Sequence, residues 1–123
     1  MRIAIGTNDR QNINPHHFGE SRYFYVVEIS EHARVVAYRA NPWWNLKVSQ
    51  RAPRIAALLG DCEAIVIRGI VKQGLDILSQ TFRSVLLTRL TEVDDIAARL
   101  ARGEMAEFQT YNPATQKFER QQL

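Results

Sequence analysis

The chain has 123 residues, 46% of them hydrophobic and 24% charged, enough for one core and too few for two full-sized ones. That balance excludes intrinsic disorder, which requires low hydrophobicity and high net charge. Apolar runs such as Ala64 to Ile67 and Val85 to Leu87 fall far short of the roughly 18–20 residues of a membrane span. A net charge of +3 is too small to argue for a nucleic-acid partner, which calls for a strongly clustered basic face. Met1-Arg2 leads directly into an alternating segment with no signal-peptide core, and the one cysteine, Cys62, fits a reducing compartment. A cytoplasmic protein is expected. Of sixteen basic residues only Lys47, Lys72 and Lys117 are lysines. Arginine's planar fork suits anions, although a GC-rich genome produces the same bias.

Arg2 to Gly6 alternates, with Ile3 and Ile5 on one face, and reads as a strand ending at the turn cluster Gly6-Thr7-Asn8-Asp9. The polar loop from Thr7 to about Glu20 is long for so small a domain, which marks it as functional or mobile. Tyr23 to Ile29 and Arg34 to Arg39 are aromatic and β-branched around the turn Ser30 to Ala33, so they form an antiparallel hairpin closed by Asn41-Pro42. Trp43 to Gln50 reads as a loop. Pro53 then suits the first turn of a helix whose apolar stripe is Ile55, Ala56, Leu58 and Leu59, with Gly60 at its end.

Ala64 to Ile67 and Ser84 to Leu87 are short strands of the kind covered on both faces. Val71, Leu75 and Leu78 mark a helix between them. Thr91-Glu92-Val93-Asp94 resembles a capping box, and Val93, Ile96, Ala97 and Leu100 continue with helical spacing to Gly103. The order β-β-β-α-β-α-β-α, with right-handed crossovers, predicts a mixed five-stranded sheet of order 3-2-1-4-5 with strand 2 antiparallel. This is the ribonuclease-H-like three-layer α/β arrangement. Residues 104–123 follow as an extension, with a hairpin around Asn112-Pro113-Ala114-Thr115.

In open α/β sheets ligands bind beyond the C-terminal ends of the parallel strands. Thr7 to Gly19, Asn41 to Gln50, Arg68 to Gln73 and Thr88 to Leu90 meet there, bringing Asn8, Arg10, His16, His17, Lys47, Arg68, Lys72, Arg89 and both tryptophans to one rim. Neutral imidazole is a good iron, zinc or copper ligand, and arginines would favour an anion; equally, His17 can pack within its loop and the arginines be solvated. Adjacent histidines point in different directions, so one ligand is expected rather than a chelating pair. No CxxC, HxxxH or carboxylate cluster completes a closed metal site. Trp43-Trp44 suits a core plug, a lid or a partner contact, and Cys62 suits burial as a small hydrophobe.

Met1-Arg-Ile-Ala-Ile-Gly-Thr7, His17-Phe-Gly-Glu-Ser-Arg-Tyr-Phe24, Val26-Val-Glu-Ile29, Asn41-Pro42 and Leu59-Gly-Asp-Cys-Glu-Ala-Ile-Val-Ile67 before Gly69 together resemble the dinitrogenase iron-molybdenum cofactor biosynthesis family, the small domain of NifX, NafY and the C-terminal part of NifB. The resemblance covers residues 1–103, and His17-Phe18-Gly19 is its most specific part. It implies the ribonuclease-H-like fold and non-catalytic carriage of an iron-molybdenum cofactor or an iron-sulfur precursor cluster. By resemblance His17 is the metal ligand, and His17, Gly19, Asn8, Arg68 and Gly69 bind the cofactor. Implied partners are the anionic cluster and nitrogenase or cofactor-assembly proteins; a homo-oligomer is compatible, and neither nucleic acid nor membrane is expected. Where the family carries a glycine-rich turn, this chain has Arg68-Gly69-Ile70-Val71-Lys72-Gln73, and the loop before the first helix carries Trp43-Trp44. Those departures support an alternative, an interaction or regulatory module that keeps the scaffold and has lost the cluster. A nuclease is rejected: two-metal cleavage needs several carboxylates on the sheet edge, and the first strand has none.

Overall fold

The computed structural model describes residues 1–120. Its strands are β1 (Arg2–Thr7), β2 (Tyr23–Ile29), β3 (Ala33–Ala40), β4 (Ala64–Ile67), β5 (Ser84–Thr88), β6 (Phe108–Asn112) and β7 (Lys117–Arg120). Its helices are α1 (Val48–Leu58), α2 (Lys72–Thr81) and α3 (Val93–Ala101), with a single 3-10 turn at Phe18–Glu20. All seven strands join one mixed sheet of order β3-β2-β1-β4-β5-β6-β7. The expected five strands are therefore corrected to seven, because the tail does not stand apart as a local hairpin. Thr88, Leu87 and Leu86 of β5 pair antiparallel with Phe108, Gln109 and Thr110, and β7 pairs onto β6. The last three residues of the expected extension lie outside the described residues.

β4 pairs parallel to both β1 and β5, whereas β2 runs antiparallel to β1 and β3 antiparallel to β2. The two-residue period of a strand sends alternate side chains to opposite faces. Ala4, Phe24, Val26, Ile65, Ile67 and Val85 pack with Ile55 and Leu59 of α1 and Leu78 of α2 on one face. Ile3, Ile5, Val27, Val66 and Leu86 pack with Val93, Ile96 and Leu100 of α3 on the other. Two helices thus cover one face and one covers the other. No helix among the described residues is long and apolar enough to cross a membrane.

Two helix starts differ from expectation. α1 begins at Val48, so Pro53 lies inside it. Proline there removes the amide that would bond to the carbonyl of Ser49, but both residues are exposed, so water can serve that carbonyl. α3 has Glu92 at its N-cap with no side-chain cap bond, and the capping-box reading is corrected. The first loop does that work with backbone: Val93 donates to the carbonyl of Gln11 at 2.9 Å, and Ile13 donates to that of Thr91 at 2.8 Å. The orphan helix-end amide is satisfied by tertiary contact instead of by a side chain.

Candidate functional site

The long loop between β1 and β2 is held along its length. Thr7 Oγ1 donates to the Asn12 carbonyl at 2.6 Å and accepts from the Arg10 amide at 3.1 Å. Asp9 accepts the amides of Asn12 and Gln11 and the Asn12 side-chain amide, and these bonds pull its carboxyl down to about 2. Asn14, buried, donates to the His17 carbonyl at 2.8 Å and to Ser21 Oγ at 3.1 Å, and its Oδ1 accepts from the His16 amide at 3.0 Å. Phe18, fully buried against Phe24, plugs the loop into the core. The Phe18 amide donates to the carbonyl of Gly69 at 2.9 Å. So the His17 segment is fastened directly to the chain leaving β4.

Gly69 has a steric reason to lack a side chain. A Cβ there would lie 2.6 Å from the His16 carbonyl oxygen and 4.0 Å from His17 Cδ2. The His16–Phe18 segment consequently lies directly against Gly69 at the β4 end. His17, half-exposed, lies with Gly19, Ile70, Val71 and Gly74 around a small hollow between α1, α2 and the 3-10 turn. Its cavity volume is about 10 Å³, on the scale of a single water.

Strand alternation sends Arg68 the other way. Ile67 packs toward α1 and α2, and its successor Arg68 lines an open groove of about 440 Å³ with Asn8, Asp9, Asn12, Asn14, Pro15 and Thr91. His17, Gly19 and Gly69 are therefore brought together, while Arg68 and Asn8 share a separate hollow across the Asn14–His17 segment. The remaining rim cations disperse. Arg10 sits over the Tyr38 ring at 4.7 Å, Arg22 over the Trp44 ring at 3.6 Å, and Lys72 pairs with Asp76 at 3.6 Å. Trp43 packs against the core on the α1 side. His16 and His32 are exposed, and His32 lies in the β2–β3 turn.

Two residues in the site were not foreseen. Glu20 Oε1 lies 3.3 Å from His17 Nδ1 and 3.9 Å from Arg51 Nη2. Because an ionised carboxylate can only accept, this contact puts a proton on Nδ1, and a neutral ring then has its lone pair on Nε2. Arg51 projects from α1 beneath Gly19, its side chain only 8% exposed. A Cβ on Gly19 would fall 2.8 Å from Arg51 Nε, so this glycine makes room for the guanidinium. The signal for Arg51 is periodicity: Val48, Arg51, Ala52, Ile55 and Leu59 form one helical face with an arginine in it.

The donor set sets a limit on the chemistry. Among the described residues no three His, Cys, Asp or Glu side chains gather to hold a bare metal ion. One imidazole nitrogen beside a buried guanidinium fits instead a cargo that brings its own inorganic ligands and negative charge. Cys62 offers no second ligand, since burial pushes its thiol up to about 11 and it lies beside Asp61, before β4.

The sequence profile of the family described as dinitrogenase iron-molybdenum cofactor matches residues 1–103. The chain belongs to that family. Membership carries a role in iron-molybdenum cofactor biosynthesis. No curated protein matches the family member described here. Its fold is similar to that of PH0822 in a crystal structure (TM-score 0.67, 23% identity, 85% of this chain and 93% of that one). It is also similar to MJ0327 of Methanocaldococcus jannaschii, a candidate dinitrogenase. The crystal structure of MJ0327 gives a TM-score of 0.63 at 16% identity over 89% of this chain and 93% of that one. Its NMR structure gives 0.61 at 15% over 100% and 94%. At these identities the likeness concerns the fold alone.

Proposed function

We propose that this family member is a non-catalytic carrier of an iron-molybdenum cofactor or an iron-sulfur precursor cluster, with His17 Nε2 as the protein's ligand to the cargo. The observation that carries the reading is the seating of the His17 segment against Gly69, fixed by the Phe18 amide on the Gly69 carbonyl. It presents one half-exposed imidazole at the C-terminal end of β4, where this topology places ligands. Glu20 engages Nδ1 and leaves Nε2 for the cargo, as carboxylates do behind metal-bound histidines. Gly19 makes room for Arg51 and Gly69 for the His16 carbonyl, so the loop that bears the ring packs tightly against α1 and the end of β4. Arg68 and Asn8 act from the adjoining groove, where Arg68 supplies counter-charge without touching the same face. Residues 1–103 would form the cargo-binding unit, in a ribonuclease-H-like arrangement that the β6–β7 extension widens by two strands. Nitrogenase or cofactor-assembly proteins would deliver and receive the cargo.

The test is anaerobic reconstitution with ferrous iron and sulfide, and separately with isolated iron-molybdenum cofactor, followed by gel filtration. Cluster co-eluting with the wild-type protein and lost from His17→Ala is the expected result. Protein that emerges bare from both incubations rejects the carrier.

A second reading is favoured by the tightness of the hollow. Val48, Ile70 and Val71 narrow it to about 10 Å³, which leaves a cluster only the rim. On this reading the scaffold serves protein contact, with Arg22 stacked on Trp44 at its edge. A stable complex that depends on Trp44 and is indifferent to chelators would select it over the carrier.

A further inference from the structure

Arg51 is an unusual thing to bury. A guanidinium whose side chain is only 8% exposed gains from strong partners, yet only its Nη1 donates, to the carbonyls of Leu46 at 3.2 Å and Trp44 at 3.5 Å. Its nearest carboxylate oxygen, on Glu20, stands 3.9 Å from Nη2, beyond hydrogen-bond distance, and is shared with His17. Nε and Nη2 therefore donate to nothing among the described residues. Arg51 lines a hollow whose walls include Val48, Ala52, Ile55, Ile70 and Leu78. Apolar walls lower the local dielectric and strengthen any charge pairing made inside them.

We propose that Arg51 and His17 form an anion subsite at the mouth of the hollow, and that the Glu20 carboxylate is its resident counter-ion, displaced when an oxygen-edged anion takes its place. The ligand class is a carboxylate or a tetrahedral oxyanion, whose paired oxygens match the free Nε–Nη2 edge of the guanidinium. Glycine at position 19 keeps a side chain off Nε. The inference rests on the reading of this hollow as the cargo site, and it adds that the cargo is gripped through an anionic oxygen group as well as through its metal.

Nitrogen-15-labelled protein, titrated with sodium succinate and separately with sodium sulfate at constant ionic strength, tests this through the Arg51 Nε–H and Gly19 amide resonances. Glu20→Gln keeps an acceptor for His17 Nδ1 and removes the competing charge. It should bind at least one probe saturably and about tenfold more tightly than the wild type, the scale of one charge-assisted contact. Saturation by succinate alone assigns a carboxylate; saturation by both assigns any oxygen-edged anion. Adding Arg51→Lys, which keeps the charge and removes the fork, should cancel the gain. Linear, unsaturable shifts in Glu20→Gln, or unchanged affinity on adding Arg51→Lys, overturn the subsite. Because no cluster is present in these titrations, they fail independently of the reconstitution: a chain that retains cluster but ignores both anions keeps the carrier and loses the subsite.

Discussion

The Phe18 amide and the Gly69 carbonyl meet at 2.9 Å, and this bond couples the histidine-bearing loop to the end of the central strand β4. A methyl group on residue 69 would press on the His16 carbonyl, a backbone atom that cannot rotate away. Gly69→Ala should therefore lower the unfolding free energy by about 1–3 kcal/mol, the range for overpacking. It should weaken cluster retention as well. Urea unfolding and anaerobic gel filtration check the two effects on the same sample.

Asn14 secures the same loop from beneath, spending its side-chain amide on the His17 carbonyl and Ser21 Oγ. Asn14→Ala removes both donors in a buried position. A loss of about 1–3 kcal/mol is expected, the cost of leaving buried polar groups unpaired, together with faster amide exchange at Phe18. Hydrogen exchange followed by NMR would show whether the loop opens locally.

The sheet's central order and the helix stripes were legible because each element carries a clean period: β4 is buried throughout and α3 repeats every three to four residues. The site was less so. Taking Pro53 as a first-turn residue leaves Arg51 outside the helix, although it continues the Val48–Ile55–Leu59 face. Glu20 stood inside the His17–Phe24 motif but carried no periodic signal, since a single 3-10 turn has no repeat to read. Arg68 was grouped with His17 because their loops were expected at the same edge of the sheet, beyond the ends of the parallel strands. Strand alternation, which acts on side chains rather than on chain ends, put them into different hollows. The added strands were under-read for a related reason. β7 exposes Lys117, Glu119 and Arg120, as an edge strand does, so its sequence lacks a buried face.

Acid should act first on the charged corner below β1. Arg39 forks onto Asp61 with two bonds of 2.7 Å, and this pairing, joined by Arg2, holds the Asp61 carboxyl well below the usual range. Asp9 is lowered to about 2 by its hydrogen bonds to Asn12 and Gln11. Both folded-state values are depressed, so their stabilisation is fully present above the unfolded carboxyl value of about 4. It is lost as pH falls from there through 2. Urea midpoints measured from pH 6 to pH 2 should decline in that window, and Asp61→Asn should start lower and decline less steeply.

Cys62 should be chemically quiet in the folded protein. Burial raises its thiol to about 11, with the neighbouring Asp61 charge adding to the shift, so little thiolate exists at pH 8. An aromatic disulfide reagent should label it slowly in native buffer and rapidly in denaturant. Fast native labelling would contradict the burial.

Phe108 tests whether the chain beyond Gly103 is part of the folded unit. Its ring is 1% exposed and packs with the α3-side core, while Tyr111, three residues on, packs on the opposite face. One short strand thus contributes to both cores, and it also pairs with the open side of β5. Phe108→Ala should cost about 3–5 kcal/mol, the usual result of emptying a buried aromatic site. Removal of residues 104–123 should cost more, because it strips the partner from β5 and exposes Leu86 together. If chemical denaturation finds the shortened chain as stable as the full one, residues 1–103 fold unaided and the last two strands are an appendage.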